Sequence, residues 1–242
     1  FPASLTSLST HDTKRGEDVR ARISVLAELP LEWEAALTAL RETAPLYDDP
    51  LESLLWQAIV GSWPASRERL KAYAVKAARE AGKSTGWSAP NDDFERRMHA
   101  LVDSAFDSPR VVELLNGLLD QVTAAGWANS LSAKLIQLTA PGVPDVYQGS
   151  ELWELSLVDP DNRRPVDFDL RRLYLAAIDA GELPPIDETG AAKMLVVSRA
   201  LRLRRDRPEL FSRYAPLAAI GAAAHHVIAF DRGDAVTIAT RL

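Results

Sequence analysis

Residues 7–18, SLSTHDTKRGED, set four ionisable side chains almost in a row: His11, Asp12, Lys14 and Arg15. Ordering such a run is unfavourable unless the groups are solvated or engaged. A carboxylate beside a histidine at the end of a strand can grip a hydroxyl or stabilise developing positive charge. The histidine can donate to a neutral oxygen, and neither role needs a metal. The plainer alternative is that Asp12 caps the helix that follows and His11 packs against it. A second cluster is VDPDNRRP at 158–165, where Asp159, Asp161, Asn162, Arg163 and Arg164 offer planar donors and acceptors suited to paired hydroxyls, as on sugars. Its alternative is a salt-bridged loop that pins its surroundings. Tyr147, Trp153 and Trp127 are candidates for stacking on sugar faces, or for ordinary burial.

Other groupings carry less. His225 and His226 are adjacent, so in a strand their side chains diverge and cannot easily share a metal. GKST at 82–85 lacks the upstream glycine of a phosphate loop, and RALRLRRDR reads as a helix with a solvated basic side. There is no GxSxG and no HExxH.

The elements that must position these residues follow from pattern. Residues 3–10 alternate as a short strand, and Asp12-Thr13 reads as a turn. Glu17 and Asp18 suit a helix's first turn, with Val19, Ile23 and Leu26 as its stripe and Pro30 as its end. Residues 31–135 read as helical almost throughout, including 66–81 closed by Gly82, 94–102, 109–125 and 128–138. PGVPDVYQG holds a short strand at 144–147, and helices return at 170–180 and 192–205. HHVIAF and AVTIAT around the turn DRGD predict a β-hairpin, with a domain boundary near 209–214. Strand, helices, strand, loop, helix and hairpin fit an α/β fold: the C-terminal part of a (β/α)8 TIM barrel with a large helical insertion at about 31–128, then the start of an all-β domain at 209–242. Chemistry in such barrels sits at the C-terminal ends of strands, which places His11-Asp12 and Tyr147-Gln148 on one rim.

The 242 residues are 47% apolar and 26% charged, an ordinary globular composition. A net charge of −6 argues against nucleic acid as a partner. No window is apolar enough to span a membrane, and the absence of cysteine excludes thiol chemistry and fits a reducing, cytoplasmic setting. The chain opens on Phe1 and closes in a strand-like run, so it reads as a piece of a longer protein.

STHDTKRGEDVRARI followed much later by LTAPGVPDVYQGSELWELSLVDPDNRRPVDF resembles the α-amylase superfamily of retaining glycoside enzymes. Within it, the HDTKRGED extension, the long helical stretch, DPDNRRP and RDRPELF before YAPL resemble the family of maltooligosyl trehalose synthases. The resemblance implies intramolecular transglycosylation of a maltooligosaccharide, with no cofactor. Asp12 would be the transition-state-stabilising carboxylate and His11 a partner to the same ring. It also implies that Lys14 and Arg15 face the reducing-end sugars, with Tyr147, Gln148, Glu151, Asp161, Asn162, Arg163 and Arg164 as softer substrate contacts. The nucleophile and the acid would come from the N-terminal part of the same enzyme, leaving these residues alone inactive. A glucan hydrolase, a 4-α-glucanotransferase and a non-catalytic helical interaction module are the alternatives.

Overall fold

The computed structural model describes residues 2–240. A short strand β1 (Leu5–Ser7) leads through a turn into helix α1 (Glu17–Val25). Gly16 occupies the N-cap of α1, and the hydroxyl of Ser9 accepts the Glu17 N–H at 2.9 Å. Asp12 is therefore not the cap. Pro30 does not end α1 but opens α2 (Pro30–Thr43), where its missing N–H and fixed φ suit a first turn. Helices α3 (Asp49–Ser62), α4 (Arg67–Ala81) and α5 (Asp92–Asp107) begin at Asp48, Ser66 and Asn91, whose side chains accept the N–H groups of Leu51, Arg69 and Phe94.

The stretch expected as two helices, 109–125 and 128–138, is one continuous helix of 31 residues, α6 (Pro109–Thr139). Gly126 serves approach rather than termination: a Cβ there would meet the backbone of Arg22 at 3.0 Å. Gly61 does the same from α3, where a Cβ would lie 2.8 Å from Val19 and Ile23. Helix α1 is thus seated in a slot cut by two glycines. Around it Leu40, Leu55, Trp56, Ile59, Met98 and Leu115, each 1% exposed or less, form the core shared by α1–α6. Each such side chain contributes about 1.5–3 kcal/mol of burial.

After α6 comes β2 (Val143–Asp145), parallel to β1 with Leu5 opposite Val143 and Ser7 opposite Asp145. Helices α7 (Phe168–Asp179) and α8 (Ala191–Asp206) follow, and α8 lies along α6. The hairpin forms as expected, from β4 (Val227–Asp231) and β5 (Val236–Thr240), and β3 (Ala215–Leu217) adds an antiparallel third strand. His225 and His226 precede β4 in a 3-10 turn, not in the strand, and their rings lie 4.1 Å apart instead of diverging. Arg241 and Leu242 of the expected terminal strand lie outside the described residues. Arg232, in the hairpin turn, is 5% exposed and donates to the carbonyl of Thr139 at 2.6 Å, while Arg204 donates to those of Leu138 and Ala140. Two guanidinium groups thereby satisfy the open carbonyls at the end of α6 and oppose its dipole.

The described part is mostly helical with few strands. Its least expected feature is a buried charge cluster. Lys134 of α6 and Lys193 of α8 are both 0% exposed, and Glu17 and Asp18 of α1 are 6% and 4% exposed. Both ammonium groups lie 2.7 Å from Glu17, and Lys193 also lies 2.7 Å from Asp18. Burial pushes Lys193 down, but Asp18 and Glu17 more than reverse it, so its pKa stands above the ordinary value. At Lys134 burial wins, and its pKa falls.

Two outcomes test these packing claims. Lys193→Met leaves Asp18 buried without its cation, and chemical denaturation is expected to show a loss of about 3–5 kcal/mol. At the α4–α5 contact, Arg79 donates two 2.7 Å hydrogen bonds to Glu95, and these, with burial opposing them and Thr85 assisting, hold the Glu95 carboxyl at about 2 instead of 4.5. That stabilisation is complete above pH 4.5 and is lost as pH falls toward 2. Glu95→Gln is expected to lower the melting temperature at pH 7 and to flatten its decline on acidification across that window.

Candidate active site

Because β1 and β2 run parallel, their C-terminal ends open at the same side. Thr10–Thr13 follows β1 as a tight turn: the Thr13 N–H donates to the Thr10 carbonyl at 3.2 Å, and the Thr13 hydroxyl accepts the Thr10 N–H at 2.7 Å. His11 and Asp12 are its corner residues. Their side chains are 56% and 85% exposed and face each other at 3.3 Å. Tyr147 and Gln148 follow β2, the first half-buried and the second exposed. The DPDNRRP loop closes the gap between the two segments through Asn162. Its side-chain amide donates to the carbonyls of His11 at 2.8 Å and Thr10 at 3.3 Å, and its own carbonyl accepts the Tyr147 hydroxyl at 3.2 Å. The three stretches singled out by residue type therefore meet at one place.

Several side chains expected to face substrate are engaged elsewhere. Asp161 turns inward: Arg69 of α4 binds both its oxygens at 2.6 and 2.7 Å, and Oδ2 also accepts the Leu157 N–H at 2.7 Å. Burial raises its pKa, but these donors outweigh burial and hold the carboxyl below the ordinary aspartate value. Asn162 is 7% exposed and faces backbone, not solvent. Arg15 donates to the Leu54 carbonyl at 3.0 Å and to Gln57 at 3.2 Å, tying the segment to α3. Glu151 accepts from Arg171 at 3.1 Å. Arg163 pairs with Asp159, and Arg164 donates to the Asp161 carbonyl at 3.0 Å, while both remain about half exposed. Lys14 is 72% exposed and lies 3.8 Å from Glu80. Trp127 and Trp153 stack on each other at 5.9 Å, which occupies one face of each ring. Exposed at the rim are thus His11, Asp12, Lys14, Gln148, Arg163 and Arg164.

Residue types alone did not reveal the groups behind the rim. Gln137 of α6 donates to the Thr6 carbonyl of β1 at 3.0 Å and to the Asp145 carbonyl of β2 at 2.7 Å, and accepts from Lys134 at 3.0 Å. Asp18 accepts the Glu154 N–H, so the charge cluster also holds the chain beyond β2. Burial raises the Glu154 carboxyl above the ordinary range, against the opposing effects of Ser156 and Arg164. The available signal was a single lysine amid apolar neighbours, as in AAKML and SAKLI.

No family model matches the chain. A solved maltooligosyltrehalose synthase from Arthrobacter ramosus superposes on all of it with a TM-score of 0.98 and 61% identity, over 32% of that structure's chain. The chain resembles maltooligosyl trehalose synthases along its whole length. A curated Mycobacterium tuberculosis protein of that name is 47% identical over 99% of the chain. A further synthase crystal structure matches 98% of it at 31% identity and a TM-score of 0.89. The chain spans about a third of the length of the synthases it matches.

The inward-facing Asp161 makes a specific prediction. Asp161→Ala removes the anchor of the loop and leaves Arg69 without its carboxylate, holding only the Leu155 carbonyl, so the loss should be on the order of 2–3 kcal/mol, read by denaturant midpoint. Its contribution is present above the ordinary aspartate pKa and is lost as pH falls through the depressed one.

Proposed function

We propose that these residues form one wall of the active site of a maltooligosyl trehalose synthase of the α-amylase superfamily. The reaction converts the reducing-end α-1,4 bond of a maltooligosaccharide into an α,α-1,1 bond. Support comes from the close likeness to the synthases together with one geometric observation: a carboxylate held at a turn corner beyond β1, exposed, beside the end of a parallel strand. The uncovered flank of the strand pair, where Leu5 is 74% and Val143 48% exposed, fits a barrel whose other strands lie in the rest of the protein.

In this reading Asp12 holds the 2- and 3-hydroxyls of the distorted sugar and favours its oxocarbenium-like transition state, and His11 donates to the same ring. A nucleophilic carboxylate and an acid/base carboxylate, about 5–5.5 Å apart in retaining enzymes, come from the remainder of the protein. The nucleophile displaces the reducing-end glucose, which takes up the proton from the acid. The freed glucose turns within the pocket, and its anomeric hydroxyl attacks the anomeric carbon of the glycosyl-enzyme, breaking the bond to the nucleophile, which leaves as a carboxylate, while the acid/base carboxylate accepts the hydroxyl's proton. Excluding water during that turn favours isomerisation over hydrolysis. Lys14, Gln148, Arg163 and Arg164 contact the sugars on the reducing-end side, and Arg15, Tyr147, Glu151 and Asp161 shape the wall.

The test uses the whole polypeptide that carries these residues, with maltopentaose. The expected product is non-reducing and of unchanged length, and Asp12→Ala should lower turnover on the order of 10² or more. Glucose and maltose as main products would favour a hydrolase, and unaltered turnover in the variant would favour a non-catalytic module. The 242 residues alone should show no turnover.

A further inference from the structure

We propose that Asn162 is the positioning residue for Asp12, fixing the carboxylate through the turn that carries it rather than touching substrate. The proposal rests on the reading of Asp12 given above. Backbone and side chain of that turn are in opposite conditions. The corner side chain of Asp12 is 85% exposed, whereas the backbone on either side of His11 is held from without. Both hydrogens of the Asn162 amide are spent on the turn, at the carbonyls of Thr10 and His11. The Thr10 carbonyl also takes the Thr13 N–H, so the amide and the turn's own closing bond converge on one oxygen. An exposed carboxylate on a loose turn would sample many directions. The clamped turn fixes the Cα of Asp12 and the direction of its Cα–Cβ bond, leaving only the side-chain torsions to set, and a misplacement of about 1 Å can cost about 10²-fold in rate.

Asn162 is itself immobilised. The residue is 7% exposed, the Tyr147 hydroxyl donates to its carbonyl, and the next residue on one side, Asp161, is locked to Arg69 of α4. Its Oδ1 is buried without a donor, and the orientation is still kept because only the NH2 can meet two carbonyls. The chain of contacts runs α4, Arg69, Asp161, Asn162, His11, Asp12. In this way the helical region, which holds none of the exposed rim side chains, sets the aim of the carboxylate.

The experiment is a double-mutant cycle in the whole polypeptide, with hydrogen exchange read alongside. Asn162→Ala should lower kcat about tenfold or more while KM stays within about threefold. In an Asp12→Asn background the same change should alter the residual rate by less than about twofold, because there is no longer a carboxylate to aim. Exchange of the amides at 10–13 should rise in Asn162→Ala while that of the α1–α6 core is unchanged. Equal losses in both backgrounds, a rise in KM at constant kcat, or unchanged exchange at 10–13 would each overturn the proposal. Should Asn162→Ala fail to fold, Tyr147→Phe loosens the same clasp and should raise exchange at 10–13 by a factor of about 3–10; no rise sinks the idea. A parent protein that produces no non-reducing isomer overturns the functional reading instead, and the exchange result is independent of it.

Discussion

Two lysine ammonium groups without solvent exposure, sharing one glutamate, constrain most of this structure. An ionised amine taken out of water is tolerated only where its partners are held at contact distance. Here those partners stand on three helices at once. Glu17 and Asp18 come from α1, Lys134 from α6 and Lys193 from α8, and none can move without stranding a charge. The two carboxylates and two ammonium groups balance, and Arg22, whose pKa burial lowers, sits beside Asp18 and is capped by the carbonyls of Val60 and Trp63. Such a cluster is a poor source of net stability compared with packed apolar side chains, but it tolerates only one register between the helices. The glycines at 61 and 126 serve the same end by letting α1 sink to the depth at which the charges meet.

That register is handed on to the rim. Lys134 orients Gln137, and Gln137 spends its amide on one carbonyl from each parallel strand. On the far side of β2, Asp18 takes the Glu154 N–H and Lys193 donates to the Leu152 carbonyl. The strands therefore take their position from helix side chains. Asn162 and Arg15 do the corresponding work at the turn. Across the whole site the backbone is anchored from behind while the forward side chains stay exposed, which is the division of labour a preorganised polar site needs.

Much of this was legible in the sequence because it depends on local chemistry. The helix over 66–81 with its Gly82 stop and the hairpin around DRGD are set by neighbouring residues. The juxtaposition of the two rim motifs was also legible, from strand direction. What was not legible depends on partners far away in the chain. Gly126 looks like a break until α1 is placed beside it. Asp161 and Asn162 carry the hydrogen-bonding groups a sugar wants, but a loop wants the same groups, and only the positions of Arg69 and the Thr10–Thr13 turn decide between them. Glu17 and Asp18 were placed correctly in a first turn for a dipole reason, while their deeper role needed two lysines more than a hundred residues on.

The strand pair itself offers little rigidity. Each strand has three residues, and a ladder so short cannot hold its own register against the loss of backbone freedom. Its fixity is borrowed: Gly142, at a φ of 121°, brings the chain so close to Thr6 that a Cβ would lie 2.6 Å from its methyl, and Arg204 of α8 donates to the Gly142 carbonyl. Helices thus determine strand spacing at one end through Arg204 and along the pair through Gln137. A pair fixed in this manner keeps its register without the help of a longer ladder.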